Sequence, residues 1–165
     1  MLNLILDDYD VAILAELQRD GRVANRALAE RVALSAAPCW RRVRALERGG
    51  VIGGYAALLE PAAIGLDILA FAHVSLDNHH PESRAPFDAM VHAAPEILEC
   101  YMTSGDYDYI LKIVAPDMPR FERFLSETLL RVPSVRMVNT RFVLRRDKQT
   151  TELPLDYVVR RAGAG

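Results

Sequence analysis

Four arginines, Arg41, Arg42, Arg44 and Arg48, stand within eight positions of a chain whose overall formal charge is -2. A guanidinium is planar, permanently charged and carries a rigid fork of N–H donors. It therefore grips phosphate, or the O6/N7 edge of guanine, through two bonds at once. Trp40 beside them adds a flat apolar surface, and Ala36 and Ala37 are small enough to let a backbone come close to a partner. The chemistry in this stretch is recognition of a polyanion rather than bond-making. A second informative stretch is TSGDYDY, residues 103–109. Gly105 permits close backbone approach, a turn there exposes N–H groups that suit a carboxylate, and Asp106 can hold an ammonium. Together they fit an α-amino acid. The plain alternative is a hairpin in which Asp106 satisfies the turn's own amides.

Other reactive residue types are thinly spread. His79 and His80 are adjacent, so their side chains diverge, and neither they nor His73 and His92 stand at ligand spacing from a cysteine or carboxylate. Cys39 and Cys100 form no C-x-x-C, so a disulfide framework or zinc site has little support. No phosphate loop, dinucleotide fingerprint or nucleophile motif is present. The expectation is a protein that is not an enzyme, with no cofactor and no metal. MLNLILDDYD lacks a basic leader and a long apolar run, and no stretch approaches ~20 apolar residues, so no signal peptide or membrane span is expected. The compartment expected is a reducing cytoplasm.

Something must position the arginines. The chain is 51% hydrophobic and 25% charged, a globular composition. Residues 1–55 hold eight arginines and seven acids, a net of +1; the remainder holds 12 basic and 15 acidic residues, a net of -3. Positive charge is therefore local, and one helix has to deliver it. Val11, Leu14, Ala15 and Leu17 give residues 10–20 a helical period, stopped by Gly21. Asn25 reads as the N-cap of a short second helix with Leu28, Ala29 and Val32 inward. After the tight Ala33-Leu34 connection, Ser35 reads as the N-cap of a third helix, with Pro38 in its first turn and Gly49-Gly50 at its end. Cys39, Val43 and Leu46 then face inward, leaving Ala37, Trp40, Arg41, Arg44 and Arg48 outside. Three short helices with a tight turn make a helix-turn-helix whose last helix enters the major groove of DNA. The bland reading is a solvated face, with Glu47 paired to Arg44.

Residues 54–60 read as a short strand and 61–65 as a linker. Beyond them, strands at 69–76, 97–103, 107–115 and 135–144 alternate with helices carrying Phe87, Met90, Val91 and Ala94, then Phe121, Phe124, Leu125, Thr128 and Leu129, capped by Asp117. The order is β-α-β-β-α-β, the ferredoxin-like arrangement. Phe71, Ile110 and Val114 make the face away from the helices apolar as well, which predicts a dimer built by packing two sheets together. The domain bounds expected are 1–53 for DNA binding, 54–68 for a linker strand and hinge, and 69–165 for the sheet domain. The tail at 157–161 either ties down an edge strand or frays.

LQRDGRVANRALAERVALS, then APCWRRVRALERGGVIGGYAALLEP, PEILECYMTSGDYDYILKIVAPDM and VLRRDKQTTELPL resemble the Lrp/AsnC family of leucine-responsive, feast/famine transcriptional regulators. The resemblance runs from about residue 7 to 155. One departure is Ala36-Ala37, where many members carry a hydroxyl residue. The resemblance implies an α+β chain: an N-terminal winged/helix-turn-helix three-helix domain, then a ferredoxin-like βαββαβ domain for effector binding and oligomerisation. It implies double-stranded DNA as partner and a nucleoid-associated cytoplasmic location. DNA contacts fall to Ser35, Ala37, Trp40, Arg41, Arg42, Arg44 and Arg48. It implies an amino-acid effector held by Thr103, Ser104, Gly105, Asp106 and Tyr107, with Thr140 added from the last strand, and homodimers that assemble into tetramers or octamers. Two other functions stay open: a ligand-independent architectural DNA-binding protein, and a ferredoxin-like dimeric enzyme.

Overall fold

A computed structural model describes residues 6–78 and 80–158. Residues 1–5, His79 and the tail beyond Val158 lie outside the described residues. The chain divides into two units, Met1–Leu58 with Lys148–Gly165, and Leu59–Asp147.

In the first unit, helix α1 (Asp8–Arg19) starts two residues earlier than its apolar period implies, because Asp7 is its cap. The Asp7 carboxylate accepts from the Asp10 amide at 2.9 Å, and the Asp7 amide donates to the Asp10 carboxylate at 3.2 Å, a reciprocal capping box. Helix α2 (Asn25–Arg31) corrects a second expectation. Ala24 occupies its cap, and Asn25 lies inside the helix. The Asn25 side-chain amide is used instead to tie the turn, donating to the Ala36 carbonyl at 2.9 Å. Ala33 in that turn takes φ +54°, which costs an alanine roughly 1–2 kcal/mol. The strain is held by a bond from the Leu34 amide to Ala29 O at 2.9 Å and by burial of Val32. Helix α3 (Ala36–Arg48) follows. Gly50 takes φ +70° after it, and the Val51 and Ile52 amides return to Leu46 O. Ile13, Leu28, Ala29, Cys39 and Leu46 are buried together as the core of these helices.

The same unit recruits the end of the chain, which the sequence pattern assigns to the sheet domain. Gln18 brackets Leu153, accepting from its amide at 2.6 Å and donating to its carbonyl at 3.2 Å. Leu155, in the 3-10 turn Leu155–Tyr157, and Val158 pack against the helical core. The strand expected at 54–60 does not form: the segment has no ladder partner among the described residues. Extended backbone becomes a strand only where another edge satisfies its N–H and C=O groups.

The second unit contains β1 (Ile68–Leu76), α4 (Pro81–Ala93), β2 (Ile97–Met102), β3 (Tyr109–Ala115), α5 (Met118–Glu127) and β4 (Val135–Phe142). The sheet order is β2-β3-β1-β4 with every neighbour antiparallel, the ferredoxin-like order. Asp117 caps α5 as its position implies, accepting from the Arg120 amide at 2.7 Å. Ala70, Ala72 and Val74 of β1 and Leu111 and Ile113 of β3 are buried with Phe87, Phe121 and Phe124 from the helices.

The outer sheet face differs from expectation. Its rows run Tyr101–Ile110–His73–Asn139 and Glu99–Lys112–Phe71–Arg141. Lys112, between Ile110 and Val114 in the alternation, pairs with Glu99 at 2.7 Å. A hydrogen bond from Lys112 holds the Glu99 carboxyl below its ordinary value, against the opposing effect of burial. The face is thus a mixed surface in which Phe71, Tyr101 and Met137 are exposed among polar groups, rather than a continuous apolar one.

Candidate DNA-binding helix and effector cleft

On α3 the spacing of residues 37, 41, 44 and 48 puts them on one stripe, and all four are exposed. Trp40 beside them is 52% exposed despite being the one tryptophan in the chain. A tryptophan is seldom left in water without a partner to meet. The Arg44 guanidinium lies 5.6 Å from the Trp40 ring centre and pairs with Glu47 at 3.0 Å. The Tyr55 hydroxyl donates to the other Glu47 oxygen at 3.2 Å. Arg41 and Arg48 form no ion pair among the described residues. Ser35 is the N-cap residue, as its position implies, but its hydroxyl makes no capping bond.

Arg42 points elsewhere. Its guanidinium reaches Asp7 at 2.7 Å and Asp10 at 2.8 Å, and stacks 5.3 Å from the Tyr9 ring centre. It therefore braces α3 against the start of α1. Burial alone raises the Asp7 carboxyl, but the Asp10 amide and the Arg42 guanidinium outweigh it and leave Asp7 below its ordinary value of 3.8. A carboxyl depressed on folding contributes stability above its unfolded pKa and loses it as pH falls through the folded one. Arg42→Ala is expected to lower stability by about 1 kcal/mol at neutral pH, given the partial exposure of the pairs. It also removes the brace's share of the stability lost below pH 3.8 in the wild type. Thermal unfolding of both proteins across pH 2–7 (a range of roughly this width brackets the transition) checks this. Equal acid sensitivity in the two would contradict the brace.

The second site is a cleft of about 520 Å3 lined by His73, Met102, Thr103, Ser104, Asp106, Tyr107 and Ile110. The loop at 103–108 is fixed from below. Thr103 N donates to Asp108 O and Asp108 N to Val74 O, both at 2.9 Å. The Asp108 carboxylate accepts from Leu76 N at 2.7 Å, and the Thr103 hydroxyl donates to Tyr107 O at 3.1 Å. Gly105 takes φ +114° with open space around its Cα, a backbone shape that side chains rarely adopt. Asp106 is exposed, and its carboxylate makes no hydrogen bond among the described residues.

Four of the six residues expected to hold an effector line this cleft, and Gly105 shapes its loop. Thr140 does not join them. It pairs with Ala72 and so sits on the helix-covered face, opposite His73. His73, Met102 and Ile110 also line the cleft and have no signal in the sequence that marks them for it. His73 lies about thirty residues from the loop and arrives only through its register with Ile110. Its ring stands 5.3 Å from that of Tyr107, and its Nδ1 is buried without a hydrogen-bond partner. Among the described residues no group of three His, Cys, Asp or Glu side chains is placed to hold a metal ion.

Residues 6–52 match the winged helix-turn-helix DNA-binding family, and residues 69–153 match the Lrp/AsnC ligand binding domain. The leucine-responsive regulatory protein of Escherichia coli (strain K12) is 45% identical over 148 residues, 90% of each chain. The chain belongs to the Lrp/AsnC family. The leucine-responsive regulatory protein of Salmonella typhimurium (strain LT2) shows the same 45% identity over 148 residues. Among solved members of the family, a transcriptional regulator from Neisseria meningitidis in complex with L-Met superposes with a TM-score of 0.88 at 42% identity, covering 92% of this chain and 97% of that one. An AsnC family regulator from Agrobacterium tumefaciens gives 0.87 at 38%, covering 92% and 99%. This Lrp/AsnC chain is accordingly a DNA-binding transcriptional regulator with a ligand-binding domain.

Proposed function

We propose that α3 enters the major groove and that the cleft at 103–107 binds the amino acid that governs it. Ser35, Ala37, Trp40, Arg41, Arg44 and Arg48 meet DNA, while Arg42 holds α3 to α1. The backbone amides around Gly105 take the effector carboxylate, Asp106 its ammonium, and Met102, Ile110 and Tyr107 its side chain. That lining is mostly apolar, which fits methionine or leucine. The observation that carries this reading is the cleft itself. It joins a positive-φ glycine turn, a carboxylate with no hydrogen bond among the described residues and an apolar floor within one opening.

Phe71, Tyr101 and Met137 on the outer sheet face mediate homodimerisation, and dimers assemble further into tetramers or octamers. Pairing supplies the two-fold that presents two recognition helices to successive turns of DNA. An effector that binds one assembly better than another shifts the equilibrium between them, and DNA affinity follows by linkage. No described helix is long and apolar enough to cross a membrane. The proposed workplace is the nucleoid in the cytoplasm.

A thermal-shift screen of the twenty amino acids tests the reading. A ligand at about 100 times its Kd stabilises by roughly 2.7 kcal/mol, raising the midpoint by several degrees. An apolar amino acid is expected to score. A screen with no shift from any of them, while DNA still binds, would favour a ligand-independent architectural protein.

A further inference from the structure

The second unit is electrically divided along its own sequence. Residues 59–117, which hold β1, α4, β2 and β3, carry ten acids and two basic residues; residues 118–146, which hold α5 and β4, carry seven arginines and two glutamates. Topology converts that division into a surface. β4 is one edge of the sheet and β2 is the other. Phe121 of α5 meets Phe142 of β4 with ring centres 5.0 Å apart, and the 3-10 turn Leu129–Arg131 leads directly into β4. So α5, the turn and β4 form one flank.

Pairing differs between the two parts. Both cations of the acidic part are held, Arg84 by Asp88 at 2.9 Å and Lys112 by Glu99 at 2.7 Å. On the flank, Arg120, Arg123, Arg131 and Arg136 are exposed and form no ion pair among the described residues. Like charges gathered on one side repel, so the arrangement is most stable when a polyanion neutralises it. The residues are all arginine rather than lysine, the type whose fork matches phosphate.

We infer that this flank binds the phosphate backbone of duplex DNA. The inference rests on the chain being a DNA-binding protein and adds a second contact surface, on the sheet unit. It reads no sequence, because phosphates carry none. The acidic part repels the duplex, so only the arginine flank can turn toward it. The rival occupant is the acidic β2 edge of a second copy.

The test uses the full-length chain with Arg120, Arg123, Arg131 and Arg136 all changed to glutamine, and random-sequence duplexes of about 20 and about 80 base pairs, roughly two and eight helical turns. Binding is measured across a salt series, and the mass of the free protein by light scattering. On the long duplex the slope of log K against log salt is expected to fall by about 0.9 for each phosphate that the variant leaves unneutralised, with at least tenfold weaker binding at ~0.2 M salt. The matching quadruple lysine variant keeps the charges, so it should retain the wild-type slope if the glutamine protein is folded but discharged. A wild-type slope on the long duplex overturns the inference. So does a fall in free mass with the slope unchanged, which would assign the flank to a neighbouring copy. Failure of the α3 reading is separable, because Arg41→Ala with Arg44→Ala should weaken binding to both duplexes.

Discussion

Arg41→Ala combined with Arg44→Ala flattens the salt dependence of DNA binding by about two units of log K per log salt, and weakens binding on the order of a hundredfold at physiological salt. The slope follows from two phosphate contacts at roughly 0.9 each, and the affinity from two charge-assisted bonds of about 1.5–3 kcal/mol in gross terms, part of which solvent already supplies. Arg41 forms no ion pair among the described residues, so it can make such a bond as it stands. Arg44 is paired to Glu47, but the Arg44 side chain is 54% exposed, and an exposed ion pair is worth at most about 1 kcal/mol, so phosphate can displace the carboxylate. Its contact with Trp40 keeps the guanidinium on the outer stripe meanwhile. The measurement is a titration of labelled DNA from upstream of the protein's own gene over a salt series, beside Arg42→Ala as a control. That control should lose stability with little change in slope, since its guanidinium is spent on Asp7 and Asp10. Unchanged binding in the double variant would remove α3 from the interface.

Asp106→Ala weakens the amino-acid effector by about 10–100-fold while DNA binding without effector stays as in the wild type. A carboxylate bonded to an ammonium contributes about 1.5–3 kcal/mol, and each 1.4 kcal/mol is tenfold in Kd. Alanine loses nothing internal, because the Asp106 carboxylate has no hydrogen bond among the described residues; only its carbonyl is approached, by the Ser75 hydroxyl at 3.5 Å. Neighbouring Asp108 would be a poor substitute for this experiment, as its carboxylate holds the Leu76 amide and its removal would disturb the loop. Calorimetry with L-methionine and L-leucine as probes reads the effect. Retained affinity in the variant would put the ammonium on another group.

How much of this is legible in the chain depends on the range of the interaction concerned. The three helices follow from the spacing of Val11, Leu14, Leu28, Ala29, Cys39 and Leu46, and the cap of α5 from Asp117, because helix bonds close within four residues. The cap of α2 escapes such reasoning because Ala24 has no signal to give and Asn25 is employed across the turn. Arg42 looks equivalent to its neighbours in the sequence. Only the fold brings Asp7 and Asp10, more than thirty positions away, onto it.

Neighbouring residues alone specify a cationic helix and a glycine-centred turn, along with the alternation of apolar residues that makes a four-stranded sheet. Those features depend on local backbone bonding and on side-chain period, which a reader of neighbours can see. Which arginines remain available, which residues floor the cleft and where the last segment packs were settled by tertiary structure alone. His73 joins Tyr107 through the register of β1 with β3, Thr140 is turned away by that of β1 with β4, and Leu155 is drawn to the helical core by burial. Each is a contact between positions far apart in the chain, whose cost in chain entropy is met only when the whole unit folds at once.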